Sequence, residues 1–582
     1  MISLIKREIL SQLRKNGLNL NGSKLKVCPW IPKGENIETD GIGNTFLLEL
    51  PNEADPLLEQ NAKINRNIIK TAQNLTSVIE KIENFQLESN NILRIKVNFD
   101  AIVQNVLSAK SLFECDVDSK QKIIVEFSSP NIAKPFHVGN LRSTIIGNSI
   151  ANILKFKGHT VIRMNYLGDW GTQFGILSLA FDSFGDEKKL QSQPLNHLFE
   201  IYVQGNRQCE IDPDWRDKAK KRFFELESKQ DLDAFNQWTR FRDVGVRELE
   251  NLYRRLGIDF DVQTSESMYA NRIADVMKIL ETKSLINQST DGAISVKISD
   301  YCEPSRTITV PIQKNDGTSL YLTRDIAAVQ HRRKEFSFDR MYYVVDSTQH
   351  KHFHNLKSVF YSLEDPIYHQ IEHIKFGRIL GMSSRKGDVI LLEDILDEAK
   401  QRALAAIRSS PNTKIFTELF DQVADVLGIT SIIVHDLSNR RVSEYKFDWN
   451  KALQLNGNTG ISIQYTHARL CSLIDNHGFE FKTDTENGIN VSAIDCLEGR
   501  LLLNWLMIFD EMIELAYEKL DPSYITNYVF HLKRAINRAH QKLIIKNQPR
   551  EIAETRLRLF YCAKNLLNQC MRLLGLKPLS SM

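Results

Sequence analysis

The chain has 582 residues, of which 42% are hydrophobic and 25% are charged, and its formal net charge at pH 7 is +3. This length predicts three or four domains, and the small net charge excludes a chain that is polycationic as a whole. The eight cysteines form no CxxC pair, so the sequence indicates neither a structural zinc site nor a disulfide framework, and it favours a reducing compartment.

The first residues, MISLIKREILSQLRKNG, predict an amphipathic helix. Its apolar stripe consists of Ile2, Ile5, Ile9 and Leu13, and Gly17 ends it. Because the segment is basic and nearly free of acid, it fits either an organelle transit helix or the first helix of the N-terminal domain. Residues 1–115 as a whole predict a small α+β domain, with strands near 25–27, 45–50 and 92–99 and a polar helix over 61–83.

Strands and helices alternate after residue 116. The run IIVEF (Ile123 to Phe127) precedes a predicted helix over 141–157 and the strand TVIRMNYL (Thr160 to Leu167). This βαβ pattern predicts an α/β domain with a parallel sheet over 116–440. The pattern resumes at the strand MYYVVD (Met341 to Asp346), and a charged, mostly helical insertion is expected at about 187–281.

The chain reads as helical from about residue 403, and residues 441–582 predict an all-α domain. Its longest apolar run, LLLNWLMIF, is broken by Asn504 and is too short to span a bilayer, so it predicts a buried helix. Residues 525–582 contain eleven lysines and arginines but only two acids, Glu551 and Glu554. This excess favours a polyanionic partner, although a solvated basic helix face also fits the charge alone.

The corner after the first strand, SSPNIAKPFHVGNLRSTIIGNSI, concentrates hydrogen-bonding groups where a parallel sheet binds ligands. His137 and Asn140 fall at the start of the next helix, and Gly139 lets a ligand approach the backbone. The unsatisfied amides and the dipole of a helix start favour anions. The corner therefore suits nucleotide phosphates, although a histidine at a helix start is more often a cap or a packed residue.

A second polar stretch, GMSSRKGDVILLEDIL, begins at Gly381 and precedes a helix or strand. It carries Arg385 and Lys386 between glycines. A cationic loop of this kind can stabilise charge that develops on a leaving pyrophosphate. In isolation, an exposed basic turn is the simpler interpretation.

The two stretches together resemble the HIGH and KMSKS motifs of class I aminoacyl-tRNA synthetases. Four further segments are similar to arginyl-tRNA synthetases: EFSSPN from Glu126, NYLGDWGTQFG from Asn165, DGTSLYLTRDIAA from Asp316 and IQYTHARL from Ile463. The similarity covers nearly the whole chain. The segment LQSQPLNHLFEIYVQ and the terminal MRLLGLKPLSSM resemble most the animal mitochondrial branch.

The resemblance implies a Rossmann-type catalytic domain with a helical insertion, an N-terminal domain (1–115) that contacts tRNA and a helical anticodon-binding domain (441–582). It implies an arginine–tRNA ligase that uses ATP, with Mg²⁺ accompanying the ATP and no dedicated metal site on the protein. The implied partners are L-arginine, ATP and tRNA(Arg), with no membrane, and the family habit implies a monomer. The mitochondrial matrix is favoured over the cytoplasm.

The resemblance also implies how arginine is bound. Asp325 lies four residues after Tyr321 on one helical face, and a carboxylate matches the fork of a guanidinium. Glu126 offers a second carboxylate, for the guanidinium or the α-amino group. The arginine-binding set is expected to comprise Glu126, Ser129, Pro130, Asn131, Asn140, Tyr321, Asp325 and Gln349. Without the resemblance, an ion pair of Asp325 with Arg324, Arg332 or Arg333 would be favoured.

For ATP, the resemblance implies contacts with the two motifs. The expected set is Lys134, His137, Gly139, Asn140, Met382, Ser383, Ser384 and Lys386. The catalytic residues among them are expected to be Lys134, His137, Asn140 and Lys386. These side chains position the triphosphate and stabilise charge, since the reaction needs little covalent work from the protein.

Two departures from the family pattern stand out. Gly381 occupies the place of the usual first lysine of the second motif, a lysine that arginyl enzymes often lack, and Asn140 replaces the usual final histidine of the first. An amide donates a hydrogen bond but carries no charge, so it can stabilise the transition state less. The departures are the best support for one alternative, a catalytically silent tRNA-binding paralogue, but the intact pocket residues argue against it: Glu126, Asn131, Tyr321, Asp325 and Lys386. A second alternative, an adenylate-forming nucleotidyl transferase, would not need the basic helical domain.

Three histidines, His350, His352 and His354, suggest a metal cluster at first sight. Alternate residues of a helix do not share a face, and no carboxylate or cysteine completes a set in the neighbouring sequence, so no metal site is expected. Stacking and phosphate contacts bind single-stranded RNA loops. On that basis the expected tRNA-binding residues are Tyr465, His467, Arg469, Lys533, Arg534 and Arg538.

Overall fold

The computed structural model describes residues 26–29, 45–49, 82–88, 92–108, 119–132, 134, 136–227, 231–290, 292–315, 317–380, 391–409, 415–454, 456–478 and 488–582. The helix expected over residues 1–16 lies outside them. The chain divides into two compact units. One contains Val117–Ala403 and His435–Asn450, and the other contains Met1–Asp116, Leu404–Val434 and Lys451–Met582.

The described part of the N-terminal region is an antiparallel sheet followed by a helix. The strands are β1 (Lys26–Pro29), β2 (Thr45–Glu49), β3 (Ile82–Glu88) and β4 (Ile92–Val97), in the order β1-β2-β4-β3, and helix α1 (Phe99–Ser108) follows. The strands β1, β2 and β4 confirm the three expected strands. Strand β3 is a correction, because it begins inside the range that predicted a polar helix.

The first βαβ unit forms as the sequence predicts. It consists of β5 (Lys122–Glu126), α2 (Val138–Phe156) and β6 (Thr160–Leu167), and β5 and β6 pair in parallel. Helix α2 lies unusually close to the end of β5. A Cβ atom at Gly147 would come 2.2 Å from the Cβ atom of Phe127, so glycine is required there for the helix to approach the strand.

The helical insertion ends earlier than expected. Its helices are α3 (Thr172–Phe184), α4 (Glu187–Ser192), α5 (Pro194–Ile211), α6 (Pro213–Glu227) and α7 (Leu232–Leu256). Strand β7 (Val262–Ser265), a 3₁₀ turn (Glu266–Arg272) and helix α8 (Ile273–Thr282) follow. The expectation of a helical segment to residue 281 is therefore wrong at β7, which pairs in parallel with β6 and joins the central sheet.

A small antiparallel sheet separates the two halves of the central sheet. Its strands are β8 (Ile286–Gln288), β9 (Ile294–Ser299) and β10 (Thr307–Gln313). The second half contains α9 (Tyr321–Phe336), β11 (Arg340–Tyr343), a 3₁₀ turn (Ser347–Gln349), α10 (His350–Ser362), a 3₁₀ turn (Pro366–His369), β12 (Ile371–His373) and β13 (Ile379–Leu380).

The central sheet has five strands in the order β12-β11-β5-β6-β7, and every neighbouring pair is parallel. Parallel strands that are covered on both faces need apolar residues in succession, as in the buried run Ile123–Val125 of β5. Ile124 and Met341 of the sheet belong to one buried cluster with Ile326 of α9 and Leu356 of α10. This architecture confirms the predicted α/β fold class.

The described residues from Leu392 onward are almost entirely helical. The elements are α11 (Leu392–Ser409), a 3₁₀ turn (Thr417–Leu419), α12 (Phe420–Leu437), β14 (Tyr445–Lys446), α13 (Trp449–Ala452), α14 (Gly460–Asp475), a 3₁₀ turn (Val491–Ala493), α15 (Leu497–Met507), α16 (Phe509–Lys519), α17 (Ser523–Lys542) and α18 (Arg550–Leu573). Helices α14, α15, α17 and α18 pack on one another. None of the described helices is both long and apolar enough to cross a membrane.

Candidate active site

The turn after β5 is strained and tightly bonded. Ser128 has φ 70° and Ser129 has φ 43°, which is the left-handed region that residues with a Cβ atom disfavour. The amide of Ser128 donates to Ser143 Oγ at 2.9 Å, and the amide of Ser129 donates to Asn165 Oδ1 at 3.1 Å. These bonds hold the turn in a shape that the local sequence alone would not adopt.

Two further partners complete the turn. Gly168 donates its amide to Pro130 O at 3.0 Å and accepts from the amide of Ile132 at 3.1 Å, which fixes the backbone on both sides of Asn131. The hydroxyls of Ser128 and Tyr253 are 2.7 Å apart. Tyr253 comes from α7 of the insertion, and a single tyrosine among helical apolar residues carries no sequence signal for such a role.

Helix α2 begins with a reciprocal cap. The Nδ1 atom of His137 accepts the amide proton of Gly139 at 3.0 Å, and Asn140 Oδ1 accepts the amide proton of His137 at 3.2 Å. Because Nδ1 is an acceptor, the ring proton resides on Nε2. Desolvation of the ring and the charge of Lys134 lower the pKa of His137, so the imidazole is neutral at pH 7 and Nε2–H is a donor. Gly139 and Lys134 are exposed beside it.

The two motifs approach each other through their backbones. His137 and Leu391 form an antiparallel bridge, and the amide of Leu392 donates to Phe136 O at 2.9 Å. The expected ATP contacts Met382, Ser383, Ser384 and Lys386 lie outside the described residues. The described chain that follows them is attached directly to the helix start.

Helix α9 presents the expected arginine-binding pair. Tyr321 is its first residue and is 52% exposed, and Asp325 lies one turn further along the same helix. Asp325 Oδ2 is 2.6 Å from His352 Nε2 of α10. The partner of Asp325 is therefore a histidine. The ion pair with Arg324, Arg332 or Arg333, which the sequence would favour without the resemblance, does not form.

Each of the three nearby arginines pairs with a different acid. Arg332 Nη1 lies 2.5 Å from Glu126 Oε2, Arg324 Nη2 lies 3.3 Å from Glu266 Oε2, and Arg333 Nη1 lies 2.5 Å from Asp365 Oδ1. The first two pairs are buried and the third is exposed. Asp325 is therefore left for histidine or for a ligand.

Asp325 interacts electrostatically with two further acids, Glu126 and Glu266, and the three form an acidic cluster. Burial raises the pKa of Glu126. The charge of Arg332 lowers this pKa, and the charge of Asp325 raises it further. Burial also raises the pKa of Glu266 to about 8, against the opposing charge of Arg324. Asp325 is the member of the three that pairs with no arginine, so it is the group that can meet a cationic ligand. Glu266, in the turn after β7, is a member that sequence reasoning missed because the strand before it was not predicted.

Residues at the carboxyl end of β11 complete the edge. Asp346 Oδ1 accepts the amide proton of Thr348 at 2.8 Å, which caps the 3₁₀ turn, and Gln349 is exposed at the end of that turn. The sites at β5, β6, β7 and β11 thus lie at the same edge of the sheet, because parallel strands end together.

Asp169 connects this edge to the helical insertion. Its carboxylate is fully buried and accepts from the amide of Ser267 at 2.9 Å and from Arg242 Nε at 3.0 Å. Its carbonyl accepts from Trp238 Nε1 at 2.8 Å. The segment GDWG thus acts structurally, since Asp169 fixes the turn that carries Glu266.

The pair Asp325–His352 predicts a pH-dependent stability. Burial of the imidazole alone would lower its pKa, but the hydrogen bond and charge of Asp325 outweigh it and raise the pKa of His352 above 6.5. A raised histidine pKa adds stability that is fully present below the unfolded value and is lost as pH rises through the folded value.

We therefore expect the difference in unfolding free energy between wild type and His352→Gln to shrink as pH rises above about 6.5, measured by urea denaturation from pH 6 to pH 9. His373→Gln is the control. Burial lowers the pKa of His373 to about 4, so its difference should stay flat above pH 7. Equal and flat curves for both variants would contradict the role of Asp325.

Two of the expected tRNA contacts are corrections, because both side chains are buried and bonded within the helical unit. Lys533 is 5% exposed, and its ammonium donates to Ser462 Oγ at 2.8 Å and to the carbonyl of Gly457. Burial, with the charge of Arg534, lowers its pKa to about 8. In α17 it lies on the inward face beside Leu532 and Ile536, which a count of basic residues cannot reveal.

Both ring nitrogens of His467 are hydrogen-bonded to the C-terminal part of the chain. Its Nδ1 is 2.8 Å from Leu579 O and must donate the proton, while Nε2 is 3.0 Å from Asn568 Nδ2 and accepts one. Burial lowers the pKa of His467, so the ring is neutral. This residue fastens the end of the chain to α14 and offers no nitrogen to RNA.

The remaining four expected tRNA residues present polar groups. Tyr465, Arg534 and Arg538 are exposed, and Arg469 is half-buried. Arg469 stacks over the Tyr465 ring with its guanidinium carbon 5.6 Å from the ring centre and donates to Asn537. Arg469 therefore supports Tyr465, and the exposed ring is the group that can stack on a base.

The fold and site together define an enzyme of the class I synthetase type: a parallel sheet with a histidine-capped helix and an acidic cluster at its carboxyl edge. Residues 102–449 match the family described as tRNA synthetases class I (R), catalytic domain, and residues 463–582 match the DALR anticodon binding domain.

Comparisons with individual proteins point to the same family. Over 463 residues, the chain is 41% identical to the probable mitochondrial arginine–tRNA ligase of Homo sapiens, which covers 80% of this chain and 79% of the relative. The probable cytoplasmic arginine–tRNA ligase of Dictyostelium discoideum is 36% identical over 524 residues, with 85% and 87% covered. The Thermus thermophilus arginyl-tRNA synthetase structure shares the fold, with a TM-score of 0.81 at 19% identity and 100% of both chains covered. The chain therefore belongs to the arginyl-tRNA synthetase family, as the sequence motifs predict.

Proposed function

We propose that the chain joins L-arginine to tRNA(Arg) in two steps. The arginine carboxylate attacks the α-phosphate of ATP, forming arginyl-adenylate and releasing pyrophosphate. A terminal ribose hydroxyl of the tRNA then takes the arginyl group and releases AMP. The observation that carries the proposal is the acidic cluster of Glu126, Glu266 and Asp325 at the carboxyl end of β5, the strand that leads into the histidine-capped helix α2, in a chain that belongs to this family.

Arginine recognition rests on charge and shape. We propose that Asp325 accepts from the guanidinium, with the hydroxyl of exposed Tyr321 assisting, because a carboxylate and a guanidinium form two parallel hydrogen bonds. The bonded turn at Ser129, Pro130 and Asn131 would hold the substrate's polar backbone atoms, together with Gln349. Glu126 is already paired with Arg332. It would act on the substrate through its electric field and by holding the turn at Ser129 in position.

ATP is proposed to bind at the start of α2. The neutral His137 offers Nε2–H, Lys134 offers an exposed ammonium, and Gly139 leaves the helix amides accessible. Lys386 is proposed to follow charge onto the leaving pyrophosphate. These described groups are donors, so we propose that Mg²⁺ arrives with ATP, whose triphosphate charge it neutralises.

The test is ATP–pyrophosphate exchange with arginine, measured with and without tRNA(Arg). We expect exchange that requires both arginine and tRNA, as a site assembled by induced fit would show, together with arginylation of the tRNA. Exchange without tRNA and no arginylation would indicate an adenylate-forming enzyme of another kind. Tight tRNA binding with no exchange would indicate a silent paralogue.

Asn140 separates catalysis from helix capping. We expect Asn140→His to leave the rate of arginine activation equal or to raise it, because an imidazole restores the chargeable group of the first motif. The same change removes the cap on the His137 amide, so the unfolding free energy should fall by about 0.5–2 kcal/mol. The exchange rate and urea denaturation measure the two effects separately. A large loss of rate would show that the pocket is adapted to the amide.

The exposed basic groups of α17 are proposed to contact tRNA phosphates. We expect Arg534→Gln to weaken tRNA binding and to reduce the slope of log affinity against log salt by about 1, measured by filter binding at several salt concentrations. Lys519→Gln is the matched control, since it removes the same charge from another exposed helix position. Equal slopes in the two variants would place the phosphate contact elsewhere.

We further propose the three-domain division 1–115, 116–440 and 441–582, action as a monomer, and placement in the mitochondrial matrix. The last is supported by the resemblance to mitochondrial relatives, although relatives named as cytoplasmic match as well. Fluorescence of the full chain fused to a reporter at its C-terminus tests the compartment.

A further inference from the structure

A carboxylate, a thiol and an imidazole that are not members of the acidic cluster meet on the catalytic unit. The ligand atoms of Asp300, Cys302 and His354 all lie within 4.8 Å of one another. Asp300 is buried, Cys302 is exposed and His354 is half-buried. Along the chain, no carboxylate or cysteine completes a ligand set next to the histidines. The turn after β9 brings the missing carboxylate and cysteine to His354 in space.

The turn is held in a shape that orients these ligands. Asp300 Oδ1 accepts the amide proton of Cys302 at 2.9 Å and that of Glu303 at 3.4 Å, and it lies 3.0 Å from His354 Nε2. A carboxylate oxygen and a ring nitrogen therefore already lie 3.0 Å apart, and the ligand atoms of all three residues lie within 4.8 Å of one another.

We propose that Asp300, Cys302 and His354 form a site for Zn²⁺. Thiolate, imidazole nitrogen and carboxylate oxygen are the three ligand types that zinc takes in proteins, and three protein ligands leave a fourth position for water or another small ligand. A thiolate in the set disfavours Mg²⁺ and Ca²⁺, which prefer oxygen. Binding requires the thiol to lose its proton and the proton between His354 and Asp300 to leave Nε2, which a neutral imidazole achieves by carrying it on Nδ1.

The ion would join two parts of the catalytic unit. Asp300 and Cys302 belong to the turn that follows β9, and His354 belongs to the first turns of α10. The same helix start carries His352, the partner of Asp325. A bound ion would therefore restrain the helix that supports the proposed arginine site. This consequence rests on the proposed function, whereas zinc binding itself does not.

Zinc binding to the full chain is measured by competition with a chromophoric chelator. We expect one tight site in the wild type and an affinity more than about 100-fold weaker in Cys302→Ser and in His354→Gln, since even supporting residues around a metal contribute 10- to 100-fold. Cys496→Ser, which changes another partly exposed free cysteine, should bind as the wild type does. Lys357→Gln should bind more tightly, because the ammonium of Lys357 interacts with Cys302 and repels a cation.

Cobalt provides a second readout that does not depend on activity. Co²⁺ added to the wild type should produce a thiolate-to-cobalt charge-transfer band that Cys302→Ser lacks. Thermal unfolding in the presence of chelator should be the same for wild type and Cys302→Ser, which shows that the variant folds. The proposal is overturned if the wild type does not compete with the chelator, or if Cys302→Ser and His354→Gln bind zinc as the wild type does, which would indicate adventitious metal elsewhere on the chain.

Discussion

Replacing Asp325 with asparagine should lower kcat/KM for arginine in ATP–pyrophosphate exchange by roughly two to four orders of magnitude. This loss corresponds to about 3–5 kcal/mol of transition-state stabilisation. The amide keeps the shape of the side chain but removes the negative charge that the guanidinium would meet. The side chain is 19% exposed, so little solvent is present to compensate. Arginine concentration series in the presence of tRNA provide the measurement.

The matched control is Asp365→Asn. Asp365 also pairs with a cation, Arg333, at 2.5 Å, but at an exposed position, where an ion pair contributes little. This variant should exchange pyrophosphate at close to the wild-type rate. Unchanged tRNA affinity in both variants would show that they fold. Near-normal arginine activation by Asp325→Asn would refute the assignment of the arginine pocket.

The second large effect concerns folding. Glu126→Gln should reduce the free energy of unfolding by about 3–5 kcal/mol, because it leaves the guanidinium of Arg332 buried without its charged partner. The two side chains are 4% and 1% exposed and lie 2.5 Å apart. Urea denaturation at pH 7 measures the loss. A variant as stable as the wild type would contradict the ion pair.

A double-mutant cycle separates structure from substrate binding. Arg332→Met in the Glu126→Gln background should restore much of the stability, because replacing both members of a buried pair is far less costly than removing one. If Glu126 acts mainly by fixing the turn at Ser129, the double variant should also regain arginine affinity. If affinity stays low while stability returns, Glu126 contacts arginine directly.

The strand–helix–strand unit was predictable because its signal is local. The strand TVIRMNYL coincides with β6, and α2 begins at Val138 where the cap residues His137 and Asn140 predict a helix start. Periodicity, Pro, Gly and capping residues all act within a few positions. The family motifs then supplied Asp325 and Tyr321, and α9 carries both.

The missed elements depend on contacts between distant segments. Strand β7 has only four residues and is fixed by pairing with β6, so no window of its own sequence could separate it from the helices around it. Glu266 was missed with it. The burial of Lys533 and His467 was missed for a related reason, since the inward face of α17 or α14 is decided by what packs there. The left-handed backbone at Ser128 was missed as well, because no residue near it in the sequence signals a positive φ.

Each acid of the cluster has a partner before any ligand arrives: Arg332 pairs with Glu126, Arg324 with Glu266 and His352 with Asp325. Of these three partners, only the imidazole can lose its charge near neutral pH. If Asp325 binds arginine as proposed, the substrate competes with protonated His352 for this carboxylate, and we expect arginine to enter most readily once His352 has given up its proton. Acidification would weaken arginine capture even though it strengthens the folded protein at that position.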